Sequence, residues 1–149
     1  MIFDLIPDSD PRLHTRVADF DFTNPPVDPV SFYADMLETM RANRGAGLAA
    51  NQCGLPYRAF TAYDGEEPYI AFNPRIEFHS EEAVSEKEGC LSFPGMILEV
   101  ARHRHVRLRG QDENGVWFTR LLSNFQARAA QHELDHLNGI TFVTRANEN

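Results

Sequence analysis

The spacing of apolar positions along this 149-residue chain changes from region to region, and each regime predicts a different element. Over residues 1–28 no period persists. Pro7, Pro11, Pro25, Pro26 and acidic residues break up short apolar pieces, which reads as a loop-rich arm. Val30, Tyr33, Met36, Leu37 and Met40 then recur at three-and-four spacing, predicting an amphipathic helix that runs to about Asn43. Asp28-Pro29 supplies an N-cap with proline at the first helical position. Arg41 and Arg44 suit the negative end of that helix, and Gly45 is the expected stop. From Tyr57 to Leu122 the period falls to two. Strands are predicted over 59–63, 69–72, 76–79, 97–100 and 106–109, with Asn114-Gly115 turning a hairpin toward Trp117-Phe118. Ser123 with Gln126 is a capping-box start, Phe125, Ala129 and Leu137 share a face, and Asn138-Gly139 is a left-handed stop, so a second helix spans this region. The expected fold is mixed α+β in one domain over 1–149, with short antiparallel strands packed around the C-terminal helix and the N-terminal helix outside.

Composition narrows the setting. Apolar residues make up 42% and charged residues 24%, as in ordinary soluble domains. No apolar run approaches the ~20 residues of a membrane span. Met1-Ile2-Phe3-Asp4 lacks the basic start and apolar core of a signal peptide, and two cysteines make no disulfide framework, so a cytoplasmic setting is expected. A net charge of −8 argues against non-specific binding to nucleic acid or anionic membrane. Arg102, Arg104, Arg107 and Arg109, with His103 and His105, form one short basic stretch, which strand alternation assigns to a solvated face. His14 and His79, like His103 and His105, are expected to be surface histidines. Cys53, with no framing turn, is expected in the core.

The predicted second helix carries the densest chemistry. Gln131-His132-Glu133-Leu134-Asp135-His136 contains His-Glu-x-x-His, which places two imidazoles one turn apart on one face. They can grip one metal ion, with Glu133 placed to act on a water as general base. The same pattern also suits a plain surface helix. Glu88-Gly89-Cys90-Leu91-Ser92-Phe93-Pro94-Gly95 is a sharply turned segment, and its cysteine is either a third ligand or a small buried apolar group. Gly45-Ala46-Gly47-Leu48-Ala49-Ala50-Asn51-Gln52 is either a tight crossing in the core or a loop or edge strand that presents the Gln52 amide to a ligand.

Taken together and in order, these three stretches resemble the motifs of the peptide deformylases: Gly-x-Gly-x-Ala-Ala-x-Gln at Gly45 to Gln52, Glu-Gly-Cys-Leu-Ser at Glu88 to Ser92, and the Gln-His-Glu-x-x-Asp-His-type helix, here from Gln131 to His136. The start from Pro7 to Leu13 and the first helix fit the same family. The resemblance implies removal of the formyl group from N-formylmethionine on nascent chains. It implies that Cys90, His132 and His136 hold one divalent metal, ferrous iron in cells with zinc, nickel or cobalt able to occupy the site. Glu133 is then the base, and Gln52 with the Leu91 backbone N–H stabilises the oxyanion. Gly45 and Gly47 give room for the substrate backbone, beside Glu88 and Gly89. Ala46, Phe125 and Ala129 line the methionine pocket, and Arg102 pairs with Glu88 behind the site.

Only 13 residues follow His136 in the 149-residue sequence, so the further C-terminal helix of many family members, and ribosome docking through it, is not expected. That compactness resembles forms carried by bacteriophages, which would place the protein in a bacterial or phage-infected cytosol. A zinc endopeptidase sharing only the His-Glu-x-x-His helix is the alternative enzyme, and a non-catalytic binding protein is the alternative class. The intact Gln52, Cys90 and Glu133 argue against both.

Overall fold

In the computed structural model, which describes residues 1–148, the arm carries one 3-10 turn over Pro11–His14 before helix α1 (Pro29–Ala42). Seven strands follow: β1 (Gly47–Ala49), β2 (Ala59–Tyr63), β3 (Pro68–His79), β4 (Ala83–Glu88), β5 (Leu98–His103), β6 (His105–Gln111) and β7 (Trp117–Ser123). A 3-10 turn, Ala50–Cys53, links β1 to β2, and helices α2 (Asn124–Leu137) and α3 (Phe142–Asn147) close the chain. Five strands pair antiparallel in the order β1-β2-β3-β6-β7, while β4 and β5 form a separate hairpin.

Alternation in β2 and β3 explains the layering. Phe60, Ala62, Tyr69 and Ala71 cluster with Ala127, Ala130 and Leu137 of α2. Their neighbours Ala59, Ile70 and Phe72 cluster instead with Phe32, Met36 and Met40 of α1. These central strands are therefore apolar on both faces, and their sequences read as unbroken runs. A third cluster, Leu13, Phe93, Val100 and Phe142, joins the arm, the β4–β5 hairpin and α3.

Several expectations change on folding. Helix α1 buries Phe32, Met36, Thr39 and Met40, whereas Val30 is half exposed, so its apolar face is rotated from the one spacing suggested. Its Asp28 cap forms, accepting from the Val30 N–H and the Ser31 hydroxyl. The left-handed residue that ends it is Arg44 (φ 56°), not Gly45, whose N–H returns to the Met40 carbonyl. The two strands expected over 69–72 and 76–79 are one strand. Asn73 takes φ 51° and bonds to Phe20 and Gln111, and a register shift between Phe72 and Arg75 absorbs Pro74 as a bulge. Strand β4 was not anticipated, because Ala-Val-Ser-Glu-Lys-Glu lacks an apolar period and depends on pairing with β5. The capping box of α2 does not form, since the Ser123 hydroxyl bonds to His105 instead. Gly139 ends α2 at φ 76°, where a Cβ would meet the His14 backbone at 2.8 Å. Helix α2 is followed by the short helix α3, and α1 lies on the face of the central strands opposite α2, its buried side forming much of one core.

Candidate metal centre and its cavity

The i, i+4 spacing on α2 sets His132 and His136 with their Nε2 atoms 3.2 Å apart. The turn between β4 and β5 brings in Cys90. It is tightened by Phe93 N–H to the Cys90 carbonyl (3.0 Å), Met96 N–H to the Phe93 carbonyl (3.1 Å), and Gly95 at φ 80°. The Cys90 Sγ stands 3.3 Å from His136 Nε2, and the three ligand atoms all lie within 4.8 Å of one another.

These residues fit a metal ion on three grounds. Atoms around one tetrahedral ion stand roughly 3.3–3.6 Å apart for N and S ligands, close to the spacings observed. Glu88, pushed down to about 2, is ionised and can only accept, so His132 Nδ1 (2.9 Å away) must donate to it. That bond turns the His132 Nε2 toward the cluster, where a metal would displace its proton. Finally, the donor set itself suits one: a thiol and two imidazoles are ligands that zinc and iron accept. Burial opposes charge on His132, yet its bonds to Cys90 and Glu88 prevail and raise it to about 10. Burial and the neighbouring His132 charge hold His136 well below its ordinary value. A divalent ion would compete with protons for the ligand lone pairs.

Glu133 is the odd carboxylate. Its Oε1 is buried with no partner, and burial raises its pKa to about 7. Gly47 of β1 passes so close that a Cβ there would lie 2.7 Å from Glu133 Oε2, and one on Gly45 would lie 2.7 Å from Leu91 Cδ1. The glycines therefore clear space first for these two side chains of the same chain, a closer demand than the substrate backbone alone.

A cavity of about 210 Å³ opens at this cluster. Gly45, Ala46 and Gly47 form one wall, and Glu88, Gly89 and Leu91 another. Phe125 and Ala129 face them from α2, with Cys90, His132 and Glu133 between. Phe125 is 58% exposed and so stands at the mouth rather than filling the interior. Gln52 lies behind the cysteine. Its Nε2 is 3.8 Å from Cys90 Sγ and donates to Ser92 Oγ at 3.0 Å, while its Oε1 accepts from the Ala49 N–H.

Behind the site, Arg102 forks onto Glu88, Nε to Oε2 at 2.9 Å and Nη2 to Oε1 at 3.0 Å, and its Nη1 reaches Asp135. It is buried, which corrects its assignment to a solvated basic face. Arg107 and Arg109 do stay outside, over the rings of Phe78 and Trp117, and Arg104 pairs with Glu82. His79 stacks on His103 at 3.7 Å, and His14 bonds the Asp8 carbonyl. Cys53 joins the α1-side core, and burial pushes its thiol up to about 12.

Four contributors were not singled out in the sequence. Arg128 puts Nη1 on Glu88 Oε2 at 2.6 Å and bonds the Val84 and Val100 carbonyls. Asp135 holds Arg102 and Arg145, Ser92 holds Gln52, and Asn51 donates to the His136 carbonyl. The available signal was helical phase for Arg128, four residues before His132, and adjacency for the rest. No helix among the described residues is long and apolar enough to cross a membrane.

A family sequence profile described as polypeptide deformylase matches residues 2–149. The peptide deformylase of Pseudothermotoga lettingae is 40% identical over 114 residues, which cover 76% of this chain and 66% of that protein, just under two thirds of its length. The crystal structure of peptide deformylase from Thermotoga maritima superposes with a TM-score of 0.90 at 32% identity, covering 97% of each chain. That of PDF from the Vibrio parahaemolyticus bacteriophage VP16T, in complex with actinonin, does so at 0.86 and 33% identity, covering 93% of this chain and 98% of that one.

Proposed function

The chain belongs to the polypeptide deformylase family, and from that premise we propose that it removes the formyl group from N-formylmethionine at the start of nascent polypeptides, releasing formate. The whole of 1–149 acts as one catalytic domain, with α2 as its metal-bearing centre. Cys90, His132 and His136 would hold a divalent ion, which when bound would supply Lewis-acid polarisation of the formyl carbonyl and a lowered pKa for a water. Ferrous iron is the working metal, with zinc, nickel or cobalt able to replace it. Iron binds weakly in the general affinity order, so availability selects it.

The chain's own groups carry the rest. Glu133, buried with one oxygen unpartnered, accepts the water's proton and passes it to the leaving amine. The Gln52 amide and the Leu91 backbone N–H donate to the developing oxyanion. The Gly45–Gly47 edge pairs with the substrate backbone as an added strand, and the methionine side chain lies among Ala46, Phe125 and Ala129. Glu88, gripped by Arg102, orients His132. The partners are N-formylmethionyl peptides and nascent chains in the cytosol, and neither nucleic acid nor membrane is needed.

The observation that carries this reading is the convergence of Cys90 Sγ and two imidazole Nε2 atoms beside a buried carboxylate with an unpartnered oxygen, at a cavity wall. Its test is formate release from a formyl-Met tripeptide by anaerobically loaded iron or nickel protein. Turnover is expected, with near-abolition in Glu133→Ala that still holds metal. Fully loaded protein that releases no formate would overturn the reading.

A further inference from the structure

The six-residue helix α3 reaches the candidate metal centre by two routes that the proposed chemistry does not use. Phe142, 1% exposed, sets its ring against the His132 imidazole with centroids 5.7 Å apart. One turn on, Arg145 forks onto Asp135, Nε to Oδ2 at 3.0 Å and Nη2 to Oδ1 at 2.8 Å. Asp135 holds Arg102, Arg102 forks onto Glu88, and Glu88 takes the Nδ1–H of His132. Charge alternates along this series, and every member before Arg145 is buried.

The competition inside the series gives Arg145 its leverage. Arg102 is shared between two carboxylates, and a buried carboxylate short of donors is costly. With Arg145 in place, Asp135 has a second guanidinium, so Arg102 can keep both of its parallel bonds on Glu88. Without Arg145, Asp135 draws on Arg102 alone, and Glu88, still held on Oε2 by Arg128, loses the firm Arg102 fork that fixes Oε1 toward His132. We propose that α3 is a positioning element for the metal ligands, with Arg145 setting the His132 imidazole through Asp135, Arg102 and Glu88. The inference rests on the metal-site reading above.

The test uses the full chain loaded with Co²⁺, read by the cobalt absorption spectrum and by the rate of metal loss to excess chelator. Arg145→Ala should lose cobalt about three- to tenfold faster, at or below the low end of the ~10–100-fold effects of groups that touch a ligand directly. Its cobalt bands should shift as well. Arg145→Lys, which keeps a cation on Asp135 without the fork, should fall between wild type and Arg145→Ala. Val143→Ala trims the packing of α3 in its apolar cluster without touching the series, so it should lower Tm and leave the loss rate at the wild-type value. Cobalt loss from Arg145→Ala at the wild-type rate would overturn the inference, and so would equally fast loss from Val143→Ala. Wild-type protein that takes up no cobalt would overturn the metal-site reading itself, and this inference with it.

Discussion

Glu88 and Glu133 are two carboxylates of one cluster, nearly equal in burial at 7% and 5% exposed, and opposite in character. Glu88 receives N–H bonds from His132, Arg102 and Arg128, and burial, which pushes it up, is overcome by those from His132 and Arg102, which hold it down to about 2. Glu133 has no partner on Oε1, and burial lifts it to about 7. Burial pushes both upward, and the donors around Glu88 reverse the sign there. One side of the cluster is built to keep a charge in place, and the other to keep a proton exchangeable. In the proposed reaction those are the needs of an anchor and of a base.

The sharpest way to break the comparison is to neutralise the proposed base. Glu133→Gln should lower kcat for formyl-Met peptides by about 10²–10⁴ with metal content unchanged, a value read from formate release beside metal analysis. Nearly as large is the loss expected at the oxyanion. Gln52→Leu removes an amide donor and should cost about 10²–10³ in kcat. Loss confined to KM would remove Gln52 from that role. Gly47→Ala should cost about tenfold, because the new methyl would occupy the space of Glu133 Oε2 and tilt the carboxylate, an effect of misplacement that can reach ~10²-fold. Wild-type rates in Gly47→Ala would mean that the carboxylate has room to yield.

The smallest effects are on stability, and here the two carboxylates should differ in sign. In metal-free protein Glu133 is raised from 4.5 to about 7, so its contribution is present below about 4.5 and lost as pH rises through about 7. Glu133→Gln should therefore raise Tm by several degrees at pH 8 and leave it unchanged near pH 4.5. Glu88 is depressed from 4.5 to about 2, so its contribution is present above about 4.5 and lost as pH falls toward about 2. Glu88→Gln should lower Tm at pH 7, and wild type should lose the corresponding stability on acidification. Thermal melts at pH 4.5, 7 and 8 check both, and Tm shifts of the same sign at neutral pH would dissolve the distinction.

Legibility in the sequence followed locality. Helix α1, strand β2, the β6–β7 hairpin and the end of α2 could be read within a few residues, because a cap, a period or an Asn-Gly turn acts on its near neighbours. Strand β4 could not, since polar Ser85, Glu86 and Lys87 become strand only by pairing with Ala101, Val100 and Glu99. The bulge at Asn73 read as a strand end for the same reason: Pro74 breaks a local period, and only the bonds from Asn73 to Phe20 and Gln111 carry β3 through it. At the site, the gathering of Cys90 with the two histidines was expected from the motifs and their resemblance. The roles of Arg128, Asp135 and Arg145 were not, because each acts on a group that sequence spacing does not reveal.

What the sequence by itself determined is the inventory and its local presentation. It set two imidazoles one helical turn apart, a cysteine in a glycine-framed turn, an edge of small residues, and the family to which this order of motifs belongs. What only the tertiary structure decided is the electrostatic character of each buried group. His132 meets Glu88 across 44 positions and Arg128 meets it across 40, while Glu133, beside His132 in the chain, meets no donor on Oε1. The charge of a buried group depends on which polar atoms surround it in space, and that set is assembled by packing rather than by neighbours in the chain.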